Sequence, residues 1–81
     1  MKVRVLFFSV IEELIGADSR ELSLPPGSSV EGLWEVLSGE YPALESWRGR
    51  CLVAVNCEYA DFSTALGDGD EVALMPPVQG G

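Results

Sequence analysis

An 81-residue chain with 13 acidic and five basic side chains, a formal net charge of −8 and no histidine, has room for one domain and little else. A domain of this size buries only about 60% of its unfolded-chain surface, which argues against an enclosed active-site cavity and favours binding or carrying over self-contained catalysis. The charge disfavours nucleic acid and anionic membranes as partners and favours a basic protein face, while the missing histidine removes the usual general base, triad partner and commonest metal ligand.

Apolar residues form 47% of the chain in short periodic runs, enough for a core and too short to span a bilayer. Lys2 and Arg4 alternate with strand-like residues from the first position, unlike the basic and apolar regions of a secretory leader. A cytoplasmic location is the default expectation.

In chain order, Val3–Phe8 has the β-branched and aromatic content of a strand, and its apolar end predicts a central strand covered on both faces. Residues 10–15, VIEELI, carry apolar side chains at helical spacing before Gly16, a stop signal. Arg20, Leu22 and Leu24 alternate with Ser19, Glu21 and Ser23, predicting a second strand that ends at Pro25-Pro26-Gly27. Ser28 and Glu31 have the spacing of a capping box, and Val30, Leu33, Trp34 and Leu37 recur at i, i+3, i+4, i+7, so the main helix is expected here, ending at Gly39. Residues 40–50 read as irregular, with a helical turn at 44–47.

Residues 51–55 are a compact strand, 56–59 a turn into a short return segment, 66–70 a tight glycine-containing connection and 71–75 the last strand. Along an unbroken strand Cys51 and Cys57 would stand roughly 20 Å apart, and a disulfide needs about 4.4–6.8 Å. A turn at Asn56 would shorten that separation, but the spacing fits no metal or redox motif. Both cysteines therefore read as ordinary core or near-surface thiols, and no metal site is expected. The order of elements describes a small α+β domain over residues 1–75, one helix packed across a sheet, followed by a flexible C-terminal tail, residues 76–81.

That tail, MPPVQGG with the strand's last residue, is the candidate working part. Six residues can extend roughly 20 Å, enough to enter another protein's active site. Pro76 and Pro77 bias its first part to an extended form, and Gly80 and Gly81 have no side chain to obstruct a narrow channel. Two glycines at a chain end arise by chance in only about 0.5% of sequences at average usage, and their position after a last strand in so small a domain strengthens the signal. A carboxyl used as a carrier must first be activated, for example as an acyl-adenylate. Asp68, Asp70 and Glu71 are candidate contacts for basic residues on an activating enzyme, or a solvated turn.

Val5–Phe8, Glu13-Leu14-Ile15-Gly16, Leu52-Val53-Ala54-Val55-Asn56, residues 66–73 (LGDGDEVA) and residues 76–81 (PPVQGG) together resemble the small subunit of molybdopterin synthase, nearly end to end. The resemblance implies the β-grasp, ubiquitin-like fold with a mixed sheet. It also implies that Gly81 is adenylated by a ubiquitin-activating-type enzyme that uses ATP, then converted to a thiocarboxylate with sulfur from a persulfide donor protein. The tail would enter the large synthase subunit and deliver sulfur to cyclic pyranopterin monophosphate, and hydrolysis would restore the carboxylate. On this basis Gly81 and Gly80 are the reacting end. Met75, Pro76, Pro77, Val78 and Gln79 are partner contacts, with Gln79 a departure from the small residue common in the family. The resemblance further implies that the chain binds no cofactor of its own and acts as the sulfur-donating part of a sulfurtransferase complex, a heterotetramer by analogy, and not as a catalyst alone.

Other readings share parts of this pattern. Sulfur carriers for thiamin or tRNA thiolation have the same Gly-Gly end, although the Pro-Pro-Val entry favours molybdopterin. A ubiquitin-like modifier would be joined through Gly81 to lysines of targets, and a non-covalent binding module would carry the tail incidentally.

Overall fold

The computed structural model describes residues 1–77, and its elements follow the expected order. They are β1 (Lys2–Phe7), α1 (Val10–Ile15), β2 (Ser19–Ser23), α2 (Val30–Glu40), a 3-10 helix (Pro42–Trp47), β3 (Leu52–Val55), β4 (Glu58–Ala60) and β5 (Glu71–Met75). The five strands form one sheet in the order β2-β1-β5-β3-β4. Parallel pairing joins β1 to β5, with Phe7 opposite Leu74, while β1–β2, β3–β5 and β3–β4 are antiparallel. This mixed sheet, crossed on one face by α2, is the β-grasp arrangement.

Alternation along the strands explains which face α2 covers. Val3, Val5 and Phe7 of β1, Leu22 of β2, Val53 of β3 and Val72 and Leu74 of β5 are buried together with Val30, Leu33, Trp34 and Leu37 of α2. The four α2 residues are fully enclosed, each large side chain contributing about 1.5–3 kcal/mol of burial, which outweighs the roughly 1 kcal/mol propensity cost of Gly32. Trp34 anchors the stripe: its ring meets Phe62 edge to face with centroids 5.4 Å apart, and its indole Nε1–H donates to Glu45 at 3.2 Å.

Three local expectations are corrected. Strand β1 is interior but covered on one face only, since Lys2 and Arg4 are exposed and Leu6 is half-buried, and β5 holds the centre of the sheet. Leu6 and Phe8 therefore line an open surface instead of a second core, while Phe7 between them faces α2. The capping box does not form. Ser29 is the N-cap without a side-chain capping bond, and the Ser28 hydroxyl donates instead to the Pro25 carbonyl at 2.7 Å, closing the preceding turn. Helix α2 passes through Gly39 to Glu40 and is closed by the Tyr41 N–H donating to Leu37 O at 2.8 Å.

Gly16 does end α1, in the left-handed conformation at φ 85° with its N–H on Glu12 O at 2.8 Å. The connection into β5 is built by aspartates. Asp68 Oδ1 accepts the Lys2 N–H at 2.8 Å, and Asp70 accepts the Gly67 N–H at 2.7 Å and the Asn56 side-chain amide at 3.0 Å, with Gly69 at φ 85° between them. These bonds, the Gly67 N–H first and the Asn56 amide second, hold the Asp70 carboxyl below the usual aspartate range. A depressed folded value stabilises the fold above the unfolded value of about 3.9, and the contribution disappears as pH falls through the folded value. Asp70→Asn is thus expected to melt below the wild-type chain at neutral pH, with the gap in Tm closing as the pH is lowered past that range. A gap that stays constant with pH would contradict this assignment.

Candidate functional site

Four strands contribute to a single rung on the open face of the sheet. Leu6 pairs with Ala73, Ala73 with Ala54, and Ala54 with Tyr59, so two alanines occupy its middle and larger side chains its ends. The result is an open apolar hollow of about 310 Å³ lined by Leu6, Phe8, Ala54, Tyr59, Ala73 and Met75, with Cys57 and Glu71 at its rim. Tyr59 is 77% exposed and Phe8 44% exposed. A hollow of this character, on a sheet face with no helix over it, has the form of a docking surface.

Met75 connects the hollow to the tail. It is the last residue of the central strand, opposite Leu52 of β3, and Pro76 and Pro77 follow it half-buried. The prolines have no backbone N–H to continue the ladder, so the chain leaves the sheet at that point. Of the residues expected to make partner contacts, Met75 lines the hollow, and Pro76 and Pro77 follow it past the end of the central strand. Val78, Gln79, Gly80 and Gly81 lie outside the described residues.

The turn after β1 shapes the same surface. The Phe8 N–H donates to Leu74 O at 3.2 Å, extending the parallel ladder and carrying Phe8 alongside the end of β5. Ser9 then takes φ 54° and ψ −128°, the first central position of a type II′ turn, closed by the Ile11 N–H on Phe8 O at 3.1 Å. That position suits glycine, and a residue with a side chain pays of order 1–3 kcal/mol to occupy it. On the other side of the hollow, Asn56 (φ 50°) and Cys57 (φ 70°) form the two-residue turn between β3 and β4.

Cys51, one residue before β3, lies against the Met75 backbone, and burial pushes its thiol up to about 11 despite that hydrogen bond. It stays protonated at neutral pH and is a poor nucleophile. Cys57 is exposed and also free. Among the described residues no group of three His, Cys, Asp or Glu side chains is placed to hold a metal ion, and no helix is long and apolar enough to cross a membrane.

The electrostatics reinforce the acidic sign of the surface. Lys2, Arg20 and Arg48 pair with Glu21, Glu40 and Glu31, and Arg50 stacks on Trp47 at 4.1 Å, so most of the few cations are already engaged. Such exposed pairs add little stability. Asp68 and Asp70, candidates with Glu71 for contact with an activating enzyme, each spend a carboxylate oxygen on a backbone N–H, Asp68 on Lys2 of β1 and Asp70 on Gly67 of its own turn. The hollow itself had no sequence signal. Its lining comes from four strands and becomes contiguous only through the sheet order.

Residues 5–81 match the ThiS family. The molybdopterin synthase sulfur carrier subunit of Mycobacterium tuberculosis is 42% identical over 82 residues, covering 100% of this chain and 99% of that protein. A chain in the solved complex of subunits 1 and 2 of the molybdopterin-converting factor from Helicobacter pylori is similar at 32% identity and a TM-score of 0.71, covering 100% of both chains. The crystal structure of the H. volcanii small archaeal modifier protein 1 superposes at a TM-score of 0.86 with 28% identity, over 95% of this chain and 98% of that one. The chain belongs to the ThiS family and, within it, to the molybdopterin synthase sulfur carrier subunits.

Proposed function

We propose that this sulfur carrier works by cycling Gly81 through an adenylate and a thiocarboxylate, and that the apolar hollow seats the large synthase subunit while the tail enters that subunit's active site. The observation that carries the reading is the position of Met75, which lines the hollow and immediately precedes the tail. A partner gripping the hollow thereby fixes where the tail starts. Six residues have a maximum reach of roughly 20 Å, enough to meet a reaction centre in the partner.

The chemistry needs no histidine in this chain. An activating enzyme forms the Gly81 acyl-adenylate from ATP with loss of pyrophosphate. The terminal sulfur of a persulfide donor displaces AMP at the carbonyl carbon to give an acyl disulfide, and a thiol reductant cleaves its S–S bond, leaving the thiocarboxylate on Gly81 and a disulfide on the donor side. The thiocarboxylate sulfur is a better nucleophile than a carboxylate oxygen, and in the large subunit it attacks cyclic pyranopterin monophosphate. Hydrolysis of the acyl group restores the carboxylate for another cycle. Acid, base and nucleotide site belong to the partners, which accounts for a chain without them. An ATP-dependent partner also suits a cytoplasmic setting.

The likeness to a protein named small archaeal modifier protein supports a second reading, conjugation of Gly81 to target lysines. Isopeptide-linked species in extracts of the host would favour it, and a thiocarboxylate without conjugates favours sulfur delivery.

Two outcomes are expected. Deleting Gly81 leaves the Tm and the affinity for the large subunit unchanged but abolishes formation of the sulfurated pterin in the reconstituted reaction. Normal product formation by that variant would overturn the reading. Phe8→Ala, which truncates an exposed aromatic of the hollow, weakens binding to the large subunit by about tenfold, as expected for an interface anchor. Calorimetric titration measures it, and unchanged affinity would place the docking surface elsewhere.

A further inference from the structure

We propose that Ser9 is a positioning residue that presets Phe8 for docking, an inference that rests on the hollow's being the large-subunit surface. Among the described residues, the non-glycine positions with positive φ are Ser9, Asn56 and Cys57. All belong to the two turns that border the hollow: Cys57 lines it directly, and Ser9 follows Phe8, which lines it from the other side. Among the described residues, the positive-φ positions that carry side chains are therefore gathered around one surface, the pattern of a functional site and not of scattered local accidents.

Ser9 gains nothing local from its conformation. It stands at the N-cap position of α1, yet its hydroxyl makes no capping hydrogen bond, and its side chain is exposed. Both flanks are pinned: the Phe8 N–H is held by Leu74 O at 3.2 Å, and Ser9 O accepts the Glu13 N–H at 3.2 Å. Between such fixed points the turn cannot relax to negative φ without breaking the ladder or the first turn of α1. At φ 54° and ψ −128°, outside the left-handed well that residues with a side chain occupy, a Cβ leaves little sterically allowed room on either side, where glycine moves over a broad range. Serine thus limits the motion of the Phe8–Ile11 turn and fixes the direction of the Phe8 ring before the partner arrives. Glycine would relieve the strain but transfer the cost of ordering that turn to the binding step.

The test uses the full chain as wild type, Ser9→Gly, Ser9→Ala and Phe8→Ala, with thermal unfolding and titration against the purified large subunit as paired readouts. Ser9→Gly is expected to keep or raise the Tm, by up to about 8 °C, while its affinity falls at least about fivefold toward that of Phe8→Ala. Ser9→Ala keeps the Cβ and retains wild-type affinity. A purely structural role cannot produce higher stability together with weaker binding. Wild-type affinity in Ser9→Gly would overturn the proposal alone, as would equal losses in Ser9→Ala and Ser9→Gly, which would assign the effect to a hydroxyl contact. Affinity and Tm falling together in Ser9→Gly would also overturn it. A wild-type chain that fails to bind the large subunit would overturn the docking reading and this proposal with it.

Discussion

The parallel pairing of β1 with β5 is the constraint on which the rest of the molecule depends. It brings the first and last strands together at the middle of the sheet, in a register that sets Val5 beside Val72 and Phe7 beside Leu74. Those residues are the floor on which Trp34, Leu33 and Leu37 of α2 pack. Parallel neighbours need a long crossover, and the whole of α1, β2, α2, β3 and β4 lies within it. Consequently the chain leaves the domain from its best-supported strand. The root of the tail is as firmly placed as the core, although the reacting residues lie beyond it.

The same pairing makes the open face. Because the strands alternate, burying Val3, Val5, Phe7, Val72 and Leu74 under α2 forces Leu6, Ala73 and Met75 onto the opposite side. Two central alanines between larger neighbours then leave a hollow where a second layer of helices would sit in a doubly covered sheet. Core, hollow and tail root are three results of one register, so a slip of one residue between β1 and β5 would disrupt all three.

Much of this was legible from sequence, and the exceptions have physical reasons. The α2 stripe from Val30 to Leu37 was readable because a period near 3.6 is a local property, and the termination at Gly16 because left-handed closure favours glycine. Leu6 and Phe8 suggested double burial because a sequence does not distinguish an apolar residue facing a core from one facing a partner. The Ser28–Glu31 spacing suggested a capping box, but the Ser28 hydroxyl had a closer acceptor in Pro25 O. Gly80 and Gly81 were prominent in the sequence, and the family match extends through them. The hollow beside their strand had no linear signature, since Leu6, Ala54, Tyr59 and Ala73 are neighbours only across the sheet. Ser9 was equally silent, because nothing in its identity reveals a positive φ.

The central claim is that this domain exists to hold and present a chemically activated chain end. The most direct test is the intact mass of the full chain after incubation with ATP, the host's adenylating enzyme, a persulfide donor and a thiol reductant. The account predicts a gain equal to one sulfur less one oxygen, confined to Gly81 and absent when that residue is deleted. An unchanged mass, under conditions in which the same enzyme and donor load another carrier, would contradict it.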